Sequence, residues 1–174
     1  MKSSHNPSPQ VTLRALEPED LDLLYQIEND RDHWAEGVTN VPYSRYLLRQ
    51  FISDSTCDIY RDGQVRMVVQ NEKHQPVGFA DLVNFSPAHL RAELGLIIFP
   101  AQRRKGYATA ALEAVRLYAR TVLHLHQLYC IVGSSNESCL RLFHAAGLKS
   151  VATLTDWLFD GRDYHDAVLV RIPL

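Results

Sequence analysis

Between Val65 and Phe99 apolar residues return at every second position, and from Ala108 to Val122 at every third or fourth. A chain with that change of period has to lay half-buried strands against a helix. Val65, Met67 and Val69 alternate with polar neighbours up to Asn71-Glu72-Lys73-His74-Gln75. That turn leads into a second alternating run, Val77 to Phe85, and the two predict a hairpin. Ser86-Pro87 stops it, and Arg91 to Phe99 predicts a third strand with Ala92, Leu94, Leu96 and Ile98 on one face and Glu93, Gly95, Ile97 and Phe99 on the other. Glu93 is the polar exception on its face. Ala108, Ala111, Leu112, Val115, Ala119 and Val122 then form one helical stripe.

Around this centre, Val11 to Leu16 predicts a first strand, and Pro18 opens a helix carrying Leu21, Leu24 and Ile27. Ser44 is placed to cap a short helix with Leu47, Leu48 and Phe51. Leu128 to Val132 predicts a buried strand. Gly133-Ser134-Ser135-Asn136 breaks it and caps a helix that stops at Gly147. Two last strands, near Leu148 to Phe159 and Tyr164 to Ile172, flank the turn Asp160-Gly161-Arg162-Asp163. The order is not a regular βαβ alternation; it describes an α/β (α+β) domain with a mixed sheet and helices on both faces. At 174 residues one domain is expected, over 11–174, after a disordered leader, 1–10.

A formal net charge of -2 gives no electrostatic reason to bind nucleic acid or an anionic membrane. No run approaches the roughly 18 to 20 apolar residues of a membrane span. Cys57, Cys130 and Cys139 form no Cys-x-x-Cys pair and no disulfide framework, which suits a cytoplasmic protein. His124 and His126 have no third ligand at a recognised spacing, so no metal is expected.

The segment that carries chemistry is Leu96 to Thr109, in which a strand runs into Arg103-Arg104-Lys105-Gly106-Tyr107-Ala108 and a helix begins. Unpaired amides of a first helical turn carry partial positive charge, and small residues there let a diphosphate approach the backbone. Equally, Gly106 could do no more than relax the turn, with the three bases forming a solvated run.

This segment resembles the cofactor motif Arg/Gln-x-x-Gly-x-Gly/Ala of the GCN5-related N-acetyltransferases, the GNAT family. A second block agrees: Asn136, then Phe143, then Gly147-Leu148, is similar to that family's Asn, aromatic and Gly-Phe. Within the family the chain looks most like the spermidine N-acetyltransferases and the ribosomal-protein N-terminal alanine acetyltransferases, which share Ala-Glu-hydrophobic, here Ala92-Glu93-Leu94. The resemblance implies a sheet of about seven strands, mostly antiparallel, whose fourth strand carries a bulge and splays from the fifth. It implies acetyl-CoA as donor, a small-molecule amine or a peptide N-terminus as acceptor, and a homo-oligomer such as a dimer.

For the cofactor it implies contacts from Ile97, Ile98 and Phe99 on the strand, from Arg103, Arg104, Lys105, Gly106, Tyr107, Ala108 and Thr109 at the helix start, and from Asn136 and Phe143. Glu93 is the candidate general base, acting through water, because an alkyl amine with a pKa near 10.4 must lose a proton before it attacks a thioester. A structural ion pair with Arg91 or another sheet neighbour is the competing reading. Phe143 stands where many relatives have a tyrosine acid, leaving Cys139 and Tyr164 as weak acid candidates. Eight of the 20 acids lie between Glu17 and Glu36. Asp30, Asp32 and Glu36, with His33 and Trp34, are the expected acceptor pocket and favour a polyamine. Glu19, Asp20 and Asp22 read better as a solvated first turn. Without the tyrosine, a non-catalytic acyl-CoA sensor is a further alternative.

Overall fold

In the computed structural model, which describes residues 9–30 and 42–174, the alternating runs become one seven-stranded sheet. Its strands are β1 (Thr12–Ala15), β2 (Val65–Gln70), β3 (Pro76–Ser86), β4 (Arg91–Ile98), β5 (Gln127–Gly133), β6 (Ser150–Phe159) and β7 (Tyr164–Pro173), in the spatial order β1-β2-β3-β4-β5-β7-β6. Only β4 and β5 run parallel, which requires the crossover helix between them. The β2–β3 hairpin closes where expected, with the Asn71 side-chain oxygen accepting from the amides of Lys73 (2.9 Å) and Gln75 (3.0 Å).

Among the described residues the α-helices are α1 (Leu21–Glu28), α2 (Arg45–Asp54), α3 (Ile59–Asp62), α4 (Tyr107–Thr121) and α5 (Glu137–Ala145). Pro18 opens a 3-10 turn, Pro18–Asp20, rather than the α-helix itself, and α1 follows directly. Ser44 caps α2 by accepting from the Leu47 amide at 3.2 Å. The single turn α3 has no counterpart among the helices the sequence predicts; it is too short for a hydrophobic period and is made by its Asp58 cap and the left-handed Gly63.

Two cores result, one on each face. The larger joins Met67, Val69, Leu82, Leu94 and Ile98 to Ala111, Leu112, Val115 and Ala119 of α4, and takes in Phe143 and Leu148. The smaller joins Val68, Phe79 and Phe99 to Leu24 of α1 and Leu48 of α2. Val122 does not continue the α4 stripe: the helix ends at Thr121, Val122 is exposed, and Leu123 is buried in its place.

Candidate active site

β4 and β5 are neighbours over only three residue pairs, Arg91–Gln127, Ala92–Leu128 and Glu93–Tyr129. Beyond Glu93 the strands part. β4 stays on β3 as far as Ile98, and β5 stays on β7 as far as Gly133, so a gap opens between them lined by backbone that no strand pairs. The splay that the family resemblance implies is therefore present.

The bulge is not where that resemblance puts it. The register slips between Val83 and Ser86 of β3, opposite Glu93 and Arg91, and Asn84 adopts φ 50° there. The extra residue turns the Asn84 amide onto Glu93. β4 itself pairs without interruption from Glu93 to Ile98.

Of the three strand-end residues expected to meet a cofactor, Phe99 has its N–H committed to the Val77 carbonyl at 2.9 Å. Strand alternation turns Ile97 the same way and leaves Leu96 and Ile98 facing the gap. The Ile98 carbonyl accepts Arg103 Nε at 3.1 Å. Leu96 was missed because side-chain pattern says nothing about which way an amide points. Gly78 fits the tight β3–β4 approach: a Cβ there would lie 2.2 Å from the Ile97 carbonyl oxygen.

At the mouth of the gap, Gly106 is the N-cap of α4 with φ 85° and ψ -3°. Its side-chain-free backbone lies under Pro9, whose Cδ would be 3.0 Å from an added Cβ. The basic residues divide the work: Arg103 braces β4, Lys105 Nζ donates to the Ala101 carbonyl (2.8 Å) and to Gln102 Oε1 (2.9 Å), and Arg104, at φ 61°, is exposed. Tyr107 and Ala108 are half-buried in the first turn of α4 and Thr109 is exposed. A diphosphate suits this end of the gap, since the first-turn amides of a 15-residue helix begin there, directly after Arg103, Arg104 and Lys105 in the chain.

Glu93 sits at the point where the strands separate, partly exposed. Its carboxylate accepts from Asn84 Nδ2 at 2.8 Å, and Tyr129 is its register partner on β5. Burial and the negative charge of Glu93 hold the Tyr129 hydroxyl above its ordinary pKa, so it remains a donor. Among the described residues no ion pair joins Glu93 to Arg91; its bonded sheet neighbour is Asn84.

On the same face as Glu93, between the sheet and α2, is a cavity of about 380 Å³ lined by Glu28, Tyr43, Phe51, Arg66, Asp81 and Val83, among others. Arg66 holds both acids: Nε and Nη2 reach the two Asp81 oxygens at 2.5 and 2.8 Å, and Nη1 reaches Glu28 at 2.5 Å. Burial alone would lower the Arg66 pKa, but the two carboxylates raise it above the ordinary value, so the guanidinium stays charged between them. Neither Glu28 nor Asp81 was singled out from the sequence. Glu28 looks like one more helix acid, and Asp81 like the polar half of a strand alternation; only the register Arg66–Asp81–Gly95 brings them together.

Of the acceptor residues expected from sequence, Asp30 follows α1 and is half-buried, while Asp32, His33, Trp34 and Glu36 lie outside the described residues. Asp20 is not a solvated helix acid. It is 6% exposed, bound by both Arg14 Nη atoms (2.6 and 2.9 Å), and accepts the Glu17 amide in a capping box.

On the other wall, Asn136 caps α5 by accepting from the Cys139 amide at 3.1 Å, as its position predicts. Phe143, 3% exposed, belongs to the core one turn further on. Cys139 is in the first turn of α5, partly buried against the larger core. Tyr164 starts β7 at the hairpin end, exposed and against the Phe159 ring, three residues beyond Ala167, which pairs with the last residue of β5. Cys139 thus lies on the helix that follows β5, and Tyr164 at the exposed hairpin end.

Comparison with known proteins agrees with this geometry. The family described as "Acetyltransferase (GNAT) domain" matches residues 10–149. Spermidine N(1)-acetyltransferase of Escherichia coli (strain K12) is 31% identical over 175 residues, covering 99% of this chain and 88% of that one. The Vibrio cholerae protein of the same name is 28% identical over 160 residues, covering 90% and 89%. A crystal structure of the Vibrio cholerae spermidine N-acetyltransferase in complex with CoA and spermine superposes with a TM-score of 0.84 at 27% identity, over 94% of this chain and 95% of that one. A dodecameric structure of the same Vibrio cholerae protein gives 0.79 at 27% identity, over 94% of each. The chain belongs to the GNAT acetyltransferases, and it is an acyl-transferring enzyme whose donor is acetyl-CoA.

Proposed function

We propose that the enzyme acetylates a primary amine of a polyamine. The observation that supports this reading is the acid-lined cavity on the Glu93 face, beside the opening between β4 and β5, in a chain 31% identical to a spermidine acetyltransferase. A cavity wall carrying two acids on one guanidinium suits a polycation and leaves its apolar methylenes to Tyr43 and Phe51. Asp30, just after α1, remains an acceptor-side candidate, and so do Asp32, His33, Trp34 and Glu36, which lie outside the described residues.

Bound acetyl-CoA supplies an activated thioester. The rest is done by this chain. Gly106, Tyr107, Ala108 and Thr109 offer first-turn amides to the diphosphate, with Arg103, Arg104 and Lys105 adding charge. Backbone of Ile98 and Leu96, with Ile97 and Phe99 shaping the strand end, lines one side of the gap, and Asn136 and Phe143 the other. Glu93 takes the proton of the incoming ammonium, directly or through water. Asn84 and Tyr129 fix the orientation of its carboxylate, which makes them positioning residues. Cys139 returns a proton on the thiolate side; a thiol with a pKa near 8.5 needs only a weak acid. Tyr164→Phe tests the remaining acid candidate and should leave turnover unchanged.

The test is release of free thiol from acetyl-CoA in the presence of spermidine, spermine, amino acids, aminosugars and N-terminal peptides. Turnover confined to the polyamines supports the proposal. Turnover on peptide N-termini alone, or binding without turnover on any acceptor, overturns it.

A further inference from the structure

The face of the sheet that carries Glu93 is built in rows across the strands. Val68, Phe79 and Ile97 form an apolar row against α1 and α2, Arg66, Asp81 and Gly95 form the next, and Val83, Glu93 and Tyr129 the one after. Gly95 is the β4 member of the middle row, and β5 is no longer beside it, since the two strands last pair at Glu93 and Tyr129. It is therefore flanked by Asp81 of β3 on one side and by the β4/β5 gap on the other.

Nothing in the backbone demands a glycine at this point. The φ of Gly95 is not in the left-handed region, and the nearest atoms to an added Cβ all belong to the Asp81 side chain: Cβ at 3.4 Å, Oδ2 at 3.6 Å and Cγ at 3.9 Å. Those are van der Waals contacts, unlike the 2.2 Å collision that fixes Gly78. A glycine inside a strand gives up packing and costs chain entropy, and one that the fold does not force marks a close approach by another group. What its missing side chain leaves open is the Oδ2 flank of the Asp81 carboxylate.

We propose that Gly95 is a specificity-determining residue: its bare backbone is the floor over which a linear acceptor passes from the Arg66–Asp81 cavity to Glu93, so that a second ammonium about three or four methylenes from the reacting one rests on Asp81. The inference rests on the polyamine reading and adds to it the position that sets which amines fit.

Arg66 donates Nε to Oδ1 and Nη2 to Oδ2 of Asp81, one bond to each oxygen, out of roughly four acceptor sites on a carboxylate. Oδ2 keeps room for a second donor on the Gly95 side. Asp81 and Glu93 are diagonal neighbours in the β3–β4 register, a relation that sets Cα atoms roughly 7–8 Å apart. At about 1.25 Å per bond, three or four methylenes hold two ammonium nitrogens about 5–6 Å apart. Each nitrogen lies about 3 Å from the carboxylate it meets, so a diamine of that length spans the pair. A monoamine reaches Glu93 and leaves Asp81 without its cation. Gly95→Leu would fill the floor and cover Oδ2.

The test compares butane-1,4-diamine with butylamine as acceptors in acetyl-CoA turnover by the full chain, in wild type, Asp81→Asn, Gly95→Ala, Gly95→Val and Gly95→Leu. Coenzyme A affinity by calorimetry and the urea midpoint are measured on each. Wild type should favour the diamine in kcat/KM by roughly tenfold to a hundredfold, the worth of one charge-assisted hydrogen bond. Asp81→Asn should remove most of that preference. Gly95→Val and Gly95→Leu should raise the diamine KM, the latter by roughly tenfold or more, with kcat changed less and coenzyme A affinity unchanged. Gly95→Ala should keep or exceed the wild-type urea midpoint, because its methyl has room. A diamine KM in Gly95→Leu equal to that of wild type overturns the proposal, and so does equal use of the two amines by wild type; if Gly95→Leu fails to bind coenzyme A, Gly95→Val is judged by the same criteria. Polyamine turnover with unaffected Gly95 variants refutes this inference and leaves the proposed function standing. If wild type turns over no amine, the proposed function is refuted, and calorimetry of butane-1,4-diamine on the coenzyme A complex of wild type and Gly95→Leu decides the passage: equal binding, or none to wild type, overturns it.

Discussion

Gly106→Ala tests whether the start of α4 is a built diphosphate site. At φ 85° and ψ -3° the residue is in the left-handed region, where an L side chain costs roughly 1–2 kcal/mol. The new methyl would also meet Pro9 Cδ at 3.0 Å and Cγ at 3.3 Å, closer than relaxed carbon contacts. If the variant keeps the native turn, the cost appears as lost stability, read as a lower urea midpoint at unchanged slope. If the turn relaxes instead, the cost is shifted to binding, because the first-turn amides have to be realigned when the diphosphate arrives. At 1.4 kcal/mol per decade that weakens coenzyme A by about tenfold. The sum of the two losses should be about 1–2 kcal/mol however it divides. Urea titration and calorimetry with coenzyme A on the same preparation measure both. A variant with wild-type midpoint and wild-type affinity would refute the argument that this turn conformation is what presents the amides.

Other substitutions separate the remaining parts of the site. Glu93→Gln keeps the shape and the Asn84 hydrogen bond but removes the base, so kcat should fall by roughly 10²–10⁴ with coenzyme A affinity intact; an unchanged kcat removes Glu93 from that role. Tyr129→Phe should lower kcat less and be partly rescued at higher pH, since it removes only orientation. Asp81→Asn should raise the KM for spermidine more than it lowers kcat, in steady-state kinetics. Arg66→Met leaves Glu28 and Asp81 facing each other partly buried and should cost roughly 2–4 kcal/mol in urea unfolding. For pH, burial opposes ionisation of Asp20, but Arg14 and the Glu17 amide outweigh it and hold the folded carboxyl below the ordinary aspartate value, about 3.9. Its contribution is therefore complete above that value and fades as pH falls through it toward the lower folded-state pKa. Asp20→Asn should flatten this part of the stability profile.

The parts of the fold that show in the sequence are those where one period dominates. β2, β3, β4 and α4 each bury one face of a regular element, so Val65 to Ala119 reads almost directly as structure. Asn136 and Gly147 are equally plain because capping and the left-handed turn are local chemistry. What depends on register between distant strands is not visible. The bulge at Asn84 moves from β4 to β3, the Phe99 amide is spent on Val77, and the partners Glu28, Arg66 and Asp81 come from three separate elements. Asp20 misleads for the same reason: a first-turn acid looks solvated until Arg14 of β1 is placed beside it. Val122 fails more simply, because the helix ends one residue before it.

The most direct test of polyamine acetylation is a coupled measurement on one sample: free thiol released from acetyl-CoA, and the mass of the product, with spermidine as the only amine. One thiol should appear for each acetylated spermidine formed, and both signals should collapse together in Glu93→Gln. Thiol release without acetylated spermidine, or tight coenzyme A binding with neither signal, would contradict the assignment.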